Sequence, residues 1–572
     1  MATSTIRRSN GGWLLYLFGF LFLLSPSFAE KTTTTTNPTV TIASGTVIGT
    51  ATGVLNQPTV KGLANAYLGV PFASSPPLRF APPTAPKPWS TPLVAHTLPP
   101  ACLQQFANGS VGEKEKAYFN NPGYPPPPES EDCLYLNVFA PQDAGPAKLK
   151  SVMFFLFGGD LQIGTASLAT YNGSSLAVNE DVVVVVPNYR TNIFGFSNSP
   201  EIPVGQQNSG LLDQRFALQW VQDNIRAFGG DPTQVTIFGE SAGAYSVKQL
   251  LANPPSPLPF RAAILESQQT SVPGNGSENY DKVLRKFACA DAPSPIGCLR
   301  KVPGTDIQAY ITDNNIGFPP VEGDGTYMAS KTLPSIKSGR FADVPILIGT
   351  NADEFQVFLA MTGTGNGSDV VGSVLSLTGL DISLIKDSLL ASYAASSVDG
   401  GIDVASQYVP LFSHHLTLAA TDHCHRIATD IAFTCTTRTF ANAIVAARRQ
   451  PVWRYRYSAS FPDLSFFPNA GAYHSSEIPS AWGTYPLANA WGIATPTQVA
   501  LSEYMQGVWA GFAKDPSAGP GWPKLGSARG KELGELGNPQ KNARGGKTIQ
   551  LNKADHACAL LDPLNIASGK AY

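Results

Sequence analysis

Gly239-Glu240-Ser241-Ala242-Gly243 sets a serine between two glycines, each two residues away. A serine hydroxyl attacks a carbonyl only when a base takes its proton, and that base must be oriented by an acid. Six histidines lie beyond Ser241: His414, His415, His423, His425, His474 and His556. With this kind of nucleophile turn the partners follow in the order serine, acid, histidine. His474 sits in Gly471-Ala-Tyr-His-Ser-Ser-Glu477, and Glu354 in Gly349-Thr-Asn-Ala-Asp-Glu354. Asp353 is the neighbouring rival acid, and position alone does not choose among the histidines. The pentapeptide by itself is weak evidence, because a chain with 53 glycines produces such matches by chance.

Its flanks give it weight. Gln234-Val-Thr-Ile-Phe238 reads as a strand, and Ala242 to Leu251 reads as a helix stopped by Asn253-Pro254-Pro255. The two glycines permit a strained strand-to-helix turn that presents Ser241 at a helix N-terminus. Other short apolar runs read as buried parallel strands: Val152–Phe157, Val182–Pro187, Ala262–Leu265, Pro345–Ile348 and Val452–Tyr457. The last precedes His474, and Pro345–Ile348 precedes Glu354. Asp213–Ala227 carries a helical apolar face from Phe216, Leu218, Trp220, Val221 and Ile225. Strand alternating with helix indicates a doubly wound α/β sheet. No internal repeat or long linker divides the chain.

The 572 residues are 43% hydrophobic and 14% charged, which supplies ample core and excludes a disordered chain. A formal net charge of −2 lacks the concentrated basicity of a nucleic-acid binder. Residues 1–29 read as a secretory signal. Arg7 and Arg8 precede an apolar stretch from Trp13 to Leu24, and Ser27-Phe28-Ala29 offers a cleavage site. That stretch is short for a membrane span. Its removal leaves 37 basic and 41 acidic residues, a net −4, on residues 30–572, read as one large domain of secreted protein without membrane association. Four Asn-Gly-Ser sequons, at Asn108, Asn172, Asn275 and Asn366, are glycan acceptors if exposed. Cys102 with Cys133 and Cys289 with Cys298 have spacings suited to disulfides in an oxidising compartment. Spacing does not say which of Cys424, Cys435 and Cys558 pair.

Taken together these segments resemble the type-B carboxylesterase and cholinesterase-like family of α/β-hydrolases over nearly the whole mature chain. Tyr67-Leu-Gly-Val-Pro-Phe-Ala73 with Leu78-Arg-Phe80 resembles the family's N-terminal signature, and Ser130-Glu-Asp-Cys-Leu-Tyr-Leu-Asn-Val138 its second. Gly210 to Trp220, Phe228-Gly-Gly-Asp-Pro232 and Gly239–Gly243 are similar to its nucleophile block. Arg340-Phe-Ala-Asp-Val-Pro345 with Gly349–Glu354, and Trp509–Pro516 with Gly521-Trp-Pro523, are similar to later blocks. The resemblance implies a large, mostly parallel twisted sheet flanked by helices, with lid loops over an active-site gorge. It implies Ser241 as nucleophile, Glu354 as acid and His474 as base. It implies Cys102–Cys133 and Cys289–Cys298 as disulfides, and two ion pairs, Arg79 with Glu131 and Arg190 with Asp213. No metal or organic cofactor is implied. The spacing of His423-Cys424-His425 fits no common zinc pattern.

One departure stands out. The family's oxyanion loop reads His-Gly-Gly-Gly, and here it is Phe157-Gly158-Gly159-Asp160. The hole is built from backbone N–H groups, assigned by the match to Gly159, Asp160 and Ala242. Asp tolerates left-handed backbone angles, so the loop keeps its shape if the Asp160 carboxylate turns outward. Phe157 is expected to pack. The resemblance also makes Cys102–Cys133 a lid carrying Tyr118, Phe119 and Tyr124. Its charged Gly112-Glu-Lys-Glu-Lys and its Pro125–Pro128 run suit no broad amphipathic helix. The expected function is ester hydrolysis through an acyl-enzyme on small, short-to-medium-chain or soluble esters. A true lipase on long-chain acylglycerols, a dedicated cholinesterase and a binding or adhesion protein that has lost its chemistry are the alternatives.

Overall fold

The apolar runs that pattern as strands are buried and hydrogen-bonded to one another in a computed structural model of the chain. It describes residues 37–567, apart from 57–61, 269–271, 273, 324, 328–331, 364–371, 373, 376–377, 397–417, 448–449, 486–493 and 538–545. The expected signal sequence and Asn366 lie outside the described residues. Among the described residues fourteen strands are assigned in chain order. The N-terminal ones are β1 (Thr39–Ile42), β2 (Gly45–Ile48), β3 (Thr50–Gly53), β4 (Leu63–Pro71) and β5 (Leu93–Val94). Next come β6 (Tyr135–Pro141), β7 (Lys150–Leu156), β8 (Val183–Pro187), β9 (Gly230–Glu240) and β10 (Ala262–Glu266). The last are β11 (Ile346–Asn351), β12 (Val452–Tyr457), β13 (Glu532–Leu536) and β14 (Gly546–Gln550).

Eleven of these make one sheet in the order β14-β13-β12-β11-β10-β9-β7-β8-β6-β4-β3, while β1, β2 and β5 form a small separate sheet. From β13 across to β8 neighbouring strands are parallel. Antiparallel pairing is confined to the two margins. The central strands are buried along their whole length, as in Val183–Pro187 and Ile346–Asn351. That burial requires helices on both faces, which is why such strands are apolar at every position rather than alternately. The helices Ser209–Asn224, Ala242–Ala252, Cys435–Ala447 and Pro496–Lys514 flank the sheet. This is the expected mixed α/β architecture with a large, mostly parallel sheet.

Three disulfides brace it. Cys102–Cys133 and Cys289–Cys298 form as expected, and Cys435 pairs with Cys558 across 123 residues of sequence. Cys424 is buried in the same apolar cluster as that third bridge. The two expected ion pairs also form. Arg190 donates Nε and Nη2 to the two Asp213 oxygens at 2.7 Å each, with Asp213 fully buried. Arg79 donates Nε to Glu131 at 2.6 Å and Nη1 to the Leu299 and Val302 carbonyls.

Candidate active site

Parallel strands deliver their following loops to one edge of a sheet, where open α/β folds build their sites. Ser241 follows β9, Glu354 follows β11, His474 follows β12, and the Phe157–Leu161 loop follows β7. Ser241 adopts φ +57° and ψ −119°, a strained backbone for a residue with a Cβ. The glycines of the motif have a steric cause. A Cβ on Gly243 would lie 1.8 Å from the Leu156 carbonyl oxygen, and one on Gly239 2.6 Å from the Gly243 backbone. The turn is therefore wedged against the end of β7, and Ser241 opens the helix Ala242–Ala252.

His474 is buried, and its Nδ1 lies 2.6 Å from Glu354 Oε2. The other Glu354 oxygen accepts the Asn351 N–H at 2.7 Å, so the carboxylate is fixed at both ends. Asp353 does not face the imidazole. It accepts the Ala472 N–H and donates its own N–H to the Ala472 carbonyl, both at 3.0 Å, bracing the histidine loop. The two acids thus divide the work that the sequence left open between them.

The other ring nitrogen, Nε2, lies 3.2 Å from Oε1 of Glu240, which also accepts the Ser475 hydroxyl at 2.7 Å. Burial alone would lower the His474 pKa, but the Glu240 and Glu354 carboxylates outweigh it and the net shift is upward. Burial raises Glu240. Glu266, opposite Glu240 in the β9–β10 register, is pushed up to about 8 by burial and by Glu240. Glu477 is held well above the carboxylate range by burial and by the neighbouring glutamates, while Asn351 Nδ2 donates to it. This layer of buried glutamates was not read from the sequence. Glu240 stands inside the serine motif and Glu477 inside the histidine segment, but nothing in composition signals that the β9–β10 register and the turn before Ile478 will bring them together.

The Phe157–Leu161 loop holds left-handed angles at Gly159 (φ +105°) and Asp160 (φ +56°). A Cβ on Gly158 would sit 2.8 Å from Ser241 Cβ, so this glycine is the contact surface against Ser241. Phe157 packs as expected, stacked on Tyr189 at 4.2 Å, whose hydroxyl donates to the Phe157 carbonyl. Asp160 turns its Oδ2 to the Gln162 amide at 3.0 Å, yet it is half-buried rather than out in solvent. Ala242 N–H begins a helix, where amides lack intrahelical acceptors.

These residues open into a pocket of about 140 Å³ lined by Ser241, His474, Gly159 and Asp160 and walled by Phe358, Phe466 and other apolar groups. The Cys102–Cys133 loop contributes a wall, and it contains a helix that the sequence reading did not name, though not one with a broad apolar face. Gly109–Phe119, including the charged stretch, is helical. Its Tyr118 and Phe119 line the pocket. Asn108 and Asn275 are exposed, while Asn172 is half-buried with Oδ1 bonded to the Ser174 N–H and hydroxyl. Among the described residues no group of three or more His, Cys, Asp or Glu could hold a metal. His414 and His415 lie outside the described residues, His425 is buried away from the pocket, and His556 faces the Tyr393 ring.

A sheet of this order with serine, acid and histidine after its parallel strands defines an α/β-hydrolase. Residues 36–556 match the carboxylesterase family model. The chain is 31% identical to acylcarnitine hydrolase of Rattus norvegicus, over 91% of each protein. It is 30% identical to lipase 4 of Diutina rugosa, over 86% of this chain and 90% of that one. It is 38% identical to acetylcholinesterase of Electrophorus electricus over 62% of this chain and 57% of that enzyme. The protein belongs to the carboxylesterase family and is a carboxylic ester hydrolase.

Proposed function

We propose that the chain is a secreted serine esterase that cleaves short-to-medium-chain or soluble esters through an acyl-enzyme on Ser241. His474 accepts the Ser241 proton as the hydroxyl oxygen attacks the ester carbonyl. The Gly159, Asp160 and Ala242 N–H groups hold the oxyanion, and Glu354 fixes the imidazole and stabilises its cation. Collapse expels the alcohol, protonated by His474, and water then hydrolyses the acyl-enzyme with His474 again as base. The chemistry calls on no metal or organic cofactor. The observation that carries this reading is the His474–Glu354 contact of 2.6 Å in the pocket that Ser241 opens into.

The chain-length preference rests on volume. A pocket of about 140 Å³ is small beside the roughly 300–1,000 Å³ usual for ligand sites. Export is supported by three disulfides and by exposed sequons at Asn108 and Asn275, together with the leader expected over residues 1–29. No helix of the described residues is long and apolar enough to cross a membrane. Hydrolysis of p-nitrophenyl esters from C2 to C16 tests the reading. Activity should peak at C8 or below and fall by about 10³–10⁶ in Ser241→Ala, since such triads act as a unit. Activity retained in Ser241→Ala would reject the acyl-enzyme, and an optimum at C12 or longer would favour a lipase.

A further inference from the structure

The helix Gly109–Phe119 walls one side of the pocket, and it is fastened at three points to three different segments. At its start, Asn108 donates Nδ2 to the Asp313 carbonyl at 2.9 Å and its N–H to Asn315 Oδ1 at 3.1 Å. Near its end, Tyr118 stacks on Phe466 and Phe467, with ring centroids 6.2 and 5.6 Å apart. Between them Lys114 Nζ reaches across to the Ala360 and Met361 carbonyls at 2.7 and 3.2 Å. Those carbonyls close the last turn of the helix Gln356–Thr362, where a cation is favoured both as a donor and by the helix dipole.

Both helices so joined are pocket walls: one supplies Tyr118 and Phe119, the other Phe358 and Met361. They have 11 and 7 residues, too short to hold their own orientation without tertiary contacts. Lys114 itself does not line the pocket. We propose that Lys114 is a specificity-determining residue: by stapling the lid helix to the helix Gln356–Thr362 it keeps the acyl pocket small and excludes long acyl chains. The inference rests on the esterase reading above and names the group that limits it. With the staple gone, the lid helix keeps its Asn108 hinge, its Tyr118 stack and the apolar packing that Tyr118 and Phe119 share with Phe358. It loses the hydrogen bonds to the Ala360 and Met361 carbonyls and can tilt from that end of the wall. The faces that part carry Tyr118, Phe119 and Met361, with Glu115 the carboxylate that the lid helix adds to the lining. The space between the apolar groups therefore favours each added methylene of the acyl chain.

The test is the ratio of kcat/KM for p-nitrophenyl dodecanoate to that for the butanoate, measured within one preparation so that any inactive fraction cancels. Lys114→Met keeps the aliphatic stem and removes the donors. It should raise the ratio about tenfold or more, mainly through a lower KM for the dodecanoate, with butanoate turnover changed less than about threefold. Lys114→Arg, which retains a charged donor of similar reach, should keep the wild-type ratio within about threefold. An unchanged ratio in Lys114→Met with intact butanoate hydrolysis overturns the staple alone. Absence of butanoate hydrolysis in the wild type overturns the esterase reading, and this inference with it.

Discussion

His474 Nε2 lies 3.2 Å from Glu240 Oε1, and the charge on the imidazole decides whether the base is ready. The cation cannot accept from Ser241; the neutral ring can. Burial opposes the charged pair, and the two carboxylates favour it, with the His474 pKa raised on balance. Because the neutral imidazole is the working form, kcat/KM should rise with pH through a midpoint above the ordinary histidine value of about 6.5. Glu240→Gln removes one of the two carboxylates that raise His474, so it should move that midpoint down while leaving the Glu354 contact in place. A pH–rate series on both proteins measures this. A midpoint unmoved by the substitution would mean that Glu240 does not hold the His474 proton.

At the scale of elements, the loop after β8 is tied to the helix Ser209–Asn224 by the bidentate Arg190–Asp213 pair. Breaking one side of a buried pair leaves a charge with no partner, at a cost of about 3–5 kcal/mol. Arg190→Met should therefore lower stability by about that amount in urea unfolding, and Arg190→Met with Asp213→Leu should recover most of it. A single variant as stable as the double would contradict this account. The elements most legible in the sequence were those buried on both faces. Val452–Tyr457 coincides with β12, and the runs at 182–187 and 262–265 fall within a residue of β8 and β10. Hidden elements were those whose stability comes from their neighbours. Glu532–Leu536 has two glutamates and a glycine, yet it pairs with β12 and β14. Gly109–Phe119 has no apolar stripe because it covers a pocket rather than a core. Gly112 serves a backbone contact there, as a Cβ would lie 1.7 Å from the Ala107 oxygen. The candidate triad was readable because chemistry fixes residue types, whereas the facing of Glu240 and Glu266 depends on strand register, which no local pattern encodes.

Over the whole molecule, the Cys435–Cys558 bridge closes the longest loop of the three and holds the last described helix to the sheet's flank. In the chain-entropy picture such a loop is worth about 4–5 kcal/mol, against about 3 for a short one. Cys435→Ser with Cys558→Ser should thus cost more in thermal or denaturant unfolding than removing Cys289 and Cys298, whose separation is 9 residues. Equal losses would point to strain or residual structure in place of chain entropy. The pairing among Cys424, Cys435 and Cys558 was not legible because it depends on which helix faces meet. The cluster around Cys435 and Cys558 shows the answer: all three cysteines are buried together, and Cys435 and Cys558 form the disulfide.

The backbone of Ser241 carries a further consequence. At φ +57° a glycine would sit with less strain than any residue bearing a Cβ, typically by about 1 kcal/mol or more. Directed evolution for heat resistance that scores only the folded fraction would therefore reward the loss of the proposed nucleophile itself. Stabilised descendants of this enzyme must be selected with turnover in the assay, or the route to robustness will pass through position 241.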